Sequence, residues 1–225
     1  MANNIPFEAW FFEVPPVTRY WTTASVITSV LVQCEALSPY QLFFSFRTVF
    51  EKHQYWRFLT TFLYFGPLSL EFIYHIFFMS QYSRMLEDTF FRGHTLDFLW
   101  LLFYSSASLL ALSPLVSLPF LGSPLSFSLV YIWARRNPST RLSFVGLFVF
   151  SAPYLPWVLF GFSLLLNNAL PKGDLMGIAV GHVYFFFEDV FPGMYGWRPL
   201  APPWRWAVWG RPVAPPAPLA ARAAA

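Results

Sequence analysis

Glu71 and His75 stand four residues apart in "LEFIYHIFFM", so on a helix they share one face and can meet. A carboxylate and an imidazole so placed suit two kinds of work. Ionisable groups at membrane depth face a polar interior, which makes the pair either part of a functional cavity or a structural hydrogen-bonded couple. Gln81 adds a polar side chain further along the same stretch. In "GIAVGHVYFFFEDVFP", Gly177 and Gly181 form a small-residue face that lets a neighbouring backbone come close, a pattern of plain helix packing. His182, beside the second glycine, reads as a packed or hydrogen-bonded histidine. Glu188 and Asp189 close the stretch at a helix C-terminus, where the dipole disfavours acids, so they require cationic partners. We expect neither a metal nor a cofactor.

The elements that must position these residues follow from composition. Of 225 residues 56% are hydrophobic, 22% aromatic and 11% charged. The mean hydropathy is +0.49. Soluble domains carry about 25% charged residues, so the chain reads as an all-α polytopic membrane protein. A net charge of +3, spread over loops and ends, leaves no basic face for nucleic acid and serves topology instead. The single cysteine, Cys34, has no intrachain partner and sits in "SVLVQCEAL", a setting for a buried small apolar side chain. The opening "MANNIPFEAWFFEVPPVTRYW" carries acids where a leader needs a basic start, and reads as a retained cytosolic segment, residues 1–21.

Apolar runs cover Thr22 to Leu37, Phe58 to Ser83, Phe98 to Leu118, Leu118 to Trp133, Leu142 to Leu166 and Leu175 to Phe187. A crossing takes about 20 apolar residues, so several runs are short or polar and suit a thin membrane. One helix from Phe98 to Trp133 would rise more than about 50 Å. Pro114, Pro119 and Pro124 interrupt it, and a turn near "SLPFLGSP" divides it into two spans, giving six in all. Arg19, Arg84, Arg92, Arg135, Arg136, Arg141, Arg198, Arg205, Arg211 and Arg222 then share one side, against Arg47, Lys52, Arg57 and Lys172. Five spans divide the charges equally well; span length selects six, with both termini in the cytosol. Cytosolic arginines are thus the candidate partners of Glu188 and Asp189.

Residues 22–192 form the membrane domain. Within it the loop 38–57 is too aromatic for solvent and too charged for a span, so it lies in the interface. Phe43, Phe44, Phe46, Phe50, Tyr55 and Trp56 sink to headgroup depth there, while Arg47, Lys52 and Arg57 meet phosphates. Residues 193–225, rich in Pro and Ala, read as a disordered cytosolic tail.

"PPVTRYW", the Trp56-Arg57 pair before "FLTTFLYFGPLSLEF", "HIFFMSQYSRMLE", "FFRGHTLDFL", "LVYIWARRNP" and "GIAVGHVYFFFEDVFP" together resemble the Derlin family, from about Pro6 to Pro192. These are rhomboid-like pseudoproteases of endoplasmic-reticulum-associated degradation. The resemblance implies a six-transmembrane-helix rhomboid-like fold, a multi-pass place in the endoplasmic reticulum membrane and a non-proteolytic role in moving misfolded lumenal or membrane proteins to the cytosol. Trp56 and Arg57 match the family's Trp-Arg motif. It also implies a laterally open half-channel, a thinned bilayer, and Glu71, His75 and Gln81 along the path of water and substrate. The implied partners are misfolded polypeptides, lipid and a Hrd-type ubiquitin-ligase complex.

Two departures follow from the same comparison. Rhomboid proteases place a histidine three residues before the first glycine of the last helix, where this chain has Asp174; their Gly-x-Ser-Gly is matched here by "LGSPLSFSL", with no glycine after Ser123. An unaided serine is a poor nucleophile, so the expectation is no enzyme, with Ser123, Ser126 and Ser128 as small polar residues of a short helix. An active intramembrane serine protease is the alternative, and a solute transporter a third reading. The family's ATPase-recruiting box has a second glycine where this chain has Pro212 after Trp209-Gly210. Contact with the valosin-containing AAA+ ATPase is therefore expected through other subunits.

Overall fold

The computed structural model describes residues 11–144, 148–167 and 170–206. The expectations for residues 1–10 and 207–225, the Trp209-Gly210 box among them, lie outside the described residues. The chain is mainly helical. Helix α1 spans Pro16–Gln33, started by a proline at its first position. Short helices α2 (Pro39–Leu42) and α3 (Phe46–Glu51) form the loop, and α4 (Arg57–Leu63) leads out of it. Helix α5 is Leu70–Met85, capped by the Ser69 hydroxyl accepting from Phe72 N–H, and continues as a π turn, Leu86–Phe90.

After α5 come α6 (Thr95–Val116) and α7 (Gly122–Arg136). Strands β1 (Arg141–Phe144) and β2 (Phe148–Ser151) pair antiparallel, with Leu142 opposite Phe150. A 3-10 turn (Ala152–Tyr154) enters α8 (Leu155–Asn167). Helix α9 (Lys172–Phe185) passes through a second π turn (Phe186–Val190) into α10 (Phe191–Tyr195), and α11 is Pro203–Trp206.

The core is built around α7. All its residues except Ser123 and Arg135 are buried, because α9, α5, α8, α6 and α4 all pack against it. Phe98, Leu101, Leu129, Ile132, Leu155 and Leu159 fill the centre with almost no exposure. Among the described residues two helical stretches, Thr95–Val116 and Lys172–Tyr195, are long and apolar enough to cross a membrane.

The sequence and the structure differ at five places. The run Phe58 to Ser83 is not one helix: Gly66, at φ +109°, and Pro67 break it between α4 and α5. The run from Leu142 begins as a hairpin and becomes helical only from Ala152, where Pro153 and Pro156 favour a helix start. Pro114 lies inside α6 without ending it; the Leu110 carbonyl that proline leaves without a backbone donor accepts from the Ser113 hydroxyl at 2.9 Å. Cys34 is exposed, since α1 stops just before it and the chain reverses at Glu35, φ +59°. Residues 193–206, assigned by composition to the tail, pack back: Ala201 is buried and Trp100 donates to the Leu200 carbonyl at 2.9 Å.

Candidate functional site: a polar hub and a pinned loop

Helices α5, α7 and α9 begin at one end of the molecule, and each brings a polar side chain in its first turns. Ser123 at the start of α7 donates from Oγ to Asp174 Oδ1 of α9 at 2.8 Å, and lies 3.4 Å from His75 Nδ1 of α5. His75 Nε2 reaches Glu71 Oε1 at 3.5 Å. His75 and Asp174 are buried, at 4% and 3% exposure, while Glu71 is partly open. Acids in the first turn of a helix face the positive end of its dipole, which suits Asp174 and Glu71. The structure thus joins Glu71 and His75, as their spacing predicts, and adds Ser123 and Asp174. Gln81 is exposed and lies about 15 Å along α5 from Glu71 at about 1.5 Å per residue, so it does not belong to this hub. Ser126 and Ser128 bond to the carbonyls of Gly122 and Leu125 in their own helix.

Gly177 and Gly181 face α7. A Cβ on Gly177 would run into the Pro124 carbonyl oxygen, and one on Gly181 would stand 2.8 Å from that of Ser128. The two backbones touch, so no larger residue fits between them. Below this contact His182 Nδ1 meets the Tyr131 hydroxyl at 2.6 Å.

At the far end Asp189 Oδ2 accepts from Arg136 Nη2 at 2.8 Å and from Nε at 3.0 Å, with both side chains about 5% exposed or less. The Arg136 guanidinium also stands over the rings of Phe90 and Phe91. Glu188 lies 3.8 Å from Arg198 Nη1. Glu87, in the first π turn, is buried; it accepts from Val17 N–H, Thr18 N–H and the Thr18 hydroxyl at 3.1, 3.0 and 2.8 Å, capping α1. Sequence reading missed Glu87. Its signal was Thr18 two residues after Pro15-Pro16, at a helix start without an acid in its own first turn.

Trp56 and Arg57 part company. Trp56 is 57% exposed, whereas Arg57 is 7% exposed and turned inward. Arg57 Nη1 donates to the carbonyls of Tyr40 and Phe43 at 2.8 and 2.7 Å, and Nε to Gln54 Oε1 at 2.7 Å. Arg57 therefore does not extend to lipid phosphates as the sequence suggested; it pins loop 38–57 from inside, and burial pushes its pKa below the ordinary value. Leu42, Phe44 and Val49 are buried beneath the loop, while Phe46, Phe50 and Tyr55 stay exposed with Trp56.

Comparison with known proteins places the chain in a family. A profile of the Der1-like family matches residues 14–204, which extends past Pro192 to the packed segment at Trp204. Derlin-2.1 of Zea mays is 41% identical over 207 residues, 87% of this chain and 83% of its own length. Derlin-2.2 of Arabidopsis thaliana is 40% identical over 207 residues, covering 87% and 84%. A probable derlin-2 homolog of Dictyostelium discoideum is 38% identical over 205 residues, covering 88% and 80%. With α1 to α10, the hub and the pinned loop all inside the matched region, the chain belongs to the Der1-like family.

Proposed function

We propose that this chain is a non-proteolytic Derlin-type factor of endoplasmic-reticulum-associated degradation. The observation that carries the reading is family membership across residues 14–204. In this reading six helical segments span the endoplasmic reticulum membrane, with both termini cytosolic. They form a laterally open half-channel beside a thinned bilayer. Each unpaired polar group placed in hydrocarbon costs several kcal/mol, and short spans that thin the core below about 30 Å leave fewer such groups inside it at once. The hub, through Glu71 and His75, offers hydrogen bonds to water and to substrate. Trp56 and Arg57 hold the mouth of the channel. Misfolded polypeptides are the cargo, a Hrd-type ligase complex the assembly, and the valosin-containing ATPase is engaged through other subunits.

The protease reading is weaker on chemical grounds. A nucleophilic serine hands its proton to an imidazole; here the Ser123 hydroxyl points to a carboxylate at 2.8 Å, with His75 at 3.4 Å. Deletion of the chain from its host, with a chase of a misfolded lumenal protein, tests the proposal. Slower turnover that the wild-type chain restores is expected; an unchanged half-life would overturn it.

A further inference from the structure

Loop 38–57 and the C-terminal end of α6 enclose a cleft that neither the hub nor the pinned motif uses. Its volume is about 360 Å³, within the range of small-molecule sites. Phe43, Phe44 and Phe46 form one wall and Pro114, Leu118 and Pro119 the other. Ser45, Arg47 and Ser117 supply polar groups to the same lining. The walls are built rather than loose: Phe44 N–H donates to the Pro119 carbonyl at 3.2 Å, and Arg57 grips the Phe43 carbonyl at 2.7 Å.

We propose that this cleft binds one phospholipid from the adjoining leaflet, with an acyl chain between the phenylalanine and proline walls and the phosphate on Arg47. Depth is the first argument. Helix α6 is one of the two stretches long and apolar enough to cross a membrane, so its end at Val116 lies at a membrane boundary. Charge is the second. Arg47 is 83% exposed and commits only Nε to Glu51, at 2.9 Å; its two terminal nitrogens point the fork that suits a phosphate. Leu115, on the turn between Pro114 and Val116, is 80% exposed, which places apolar surface beside the cleft for the second acyl chain. A lipid held here would be a fixed part of the mouth rather than an exchanging neighbour. The inference rests on the Derlin reading only for the membrane position of α6.

Native mass spectrometry of the full chain in detergent, titrated with palmitoyl-oleoyl phosphatidylcholine, tests it. One retained lipid per chain is expected. Ser45→Trp, which fills the cleft, and Arg47→Glu, which reverses its charge, should each weaken retention about tenfold, while Leu96→Trp, at an exposed leucine on the opposite end of α6, should not. Diacylglycerol should bind about tenfold less well than the phospholipid, and millimolar inorganic phosphate should not displace it. Circular dichroism establishes folding; Arg47 is so exposed that its variant stays interpretable if Ser45→Trp does not fold. Equal retention by wild type and Arg47→Glu means annular lipid only and overturns the proposal, as does displacement by phosphate or by an unfolded peptide. Because lipid count is read and not substrate turnover, failure here leaves the degradation role standing, and failure there leaves the cleft standing.

Discussion

Ser123 and Asp174 are joined across the α7–α9 contact by a 2.8 Å hydrogen bond in which the hydroxyl donates and the carboxylate accepts. The serine that sequence comparison matched to a nucleophile is thereby a structural donor to a buried acid. Ser123→Ala should cost about 1–3 kcal/mol, because it leaves that acceptor less satisfied. Thermal unfolding in detergent measures this cost, and a substrate chase should show turnover close to wild type. Turnover abolished in a variant of normal abundance would instead point to chemistry at Ser123.

The α7–α9 contact makes graded forecasts. Gly177→Ala drives its Cβ onto the Pro124 backbone and should cost at least about 1–3 kcal/mol, whereas Gly181→Ala should cost less because its nearest atom is further away. Gly161 has open space around it, so Gly161→Ala should be neutral or slightly stabilising. Melting temperatures of the three variants should rank in that order.

Glu87 satisfies donors at the start of α1 from a different helix. Glu87→Gln keeps its size but loses the charge and one acceptor, and should cost about 1–3 kcal/mol. Hydrogen exchange should rise at Val17 and Thr18 before it rises elsewhere in α1. Unchanged protection there would mean that the two prolines alone fix the helix start.

Arg136 and Asp189 are a buried ion pair, for which single and double substitutions behave differently. Arg136→Met or Asp189→Leu alone should destabilise by about 3–5 kcal/mol, and the double variant should recover most of the loss. A double-mutant cycle on thermal unfolding reads this directly. Additive losses would show that the two charges act independently.

Trp56 and Arg57 should separate in experiment as they do in space. Arg57→Ala frees the Tyr40 and Phe43 carbonyls and should increase proteolysis within loop 38–57. Trp56→Ala, at an exposed indole, should leave that loop intact and yet slow the turnover of a misfolded lumenal protein. Equal proteolysis of both variants would mean that the pair acts as one structural anchor.

Patterns of single residues proved legible where the physics is local. The spacing of Glu71 and His75 predicted their meeting, and the prolines around Pro119 predicted the turn between α6 and α7. What escaped was set by tertiary contact. An apolar run from Leu142 reads the same as strand or as helix, because so short a run carries too few residues for its periodicity to tell them apart. Asp174 bears the same sequence whether it is an orphan or bonded to Ser123; only the packing of α7 on α9 decides. Arg57 carries a charge that composition assigns to the surface, yet three acceptors from its own loop turn it inward.

The two π turns have a mechanical consequence. Each carries an acid that grips an element beyond its own helix: Glu87 holds the start of α1 and Asp189 holds Arg136, which itself rests on Phe90 and Phe91 beside the first turn. Helices α1, α5, α7 and α9 are thus riveted together at one end by Glu87, Arg136 and Asp189. At the opposite end α5, α7 and α9 are tied by the serine, the histidine and the carboxylates of the hub, through contacts of 2.8 to 3.5 Å. With α5, α7 and α9 fastened at both ends, sliding any one of them along the others must disturb a polar or cation–π contact at each end.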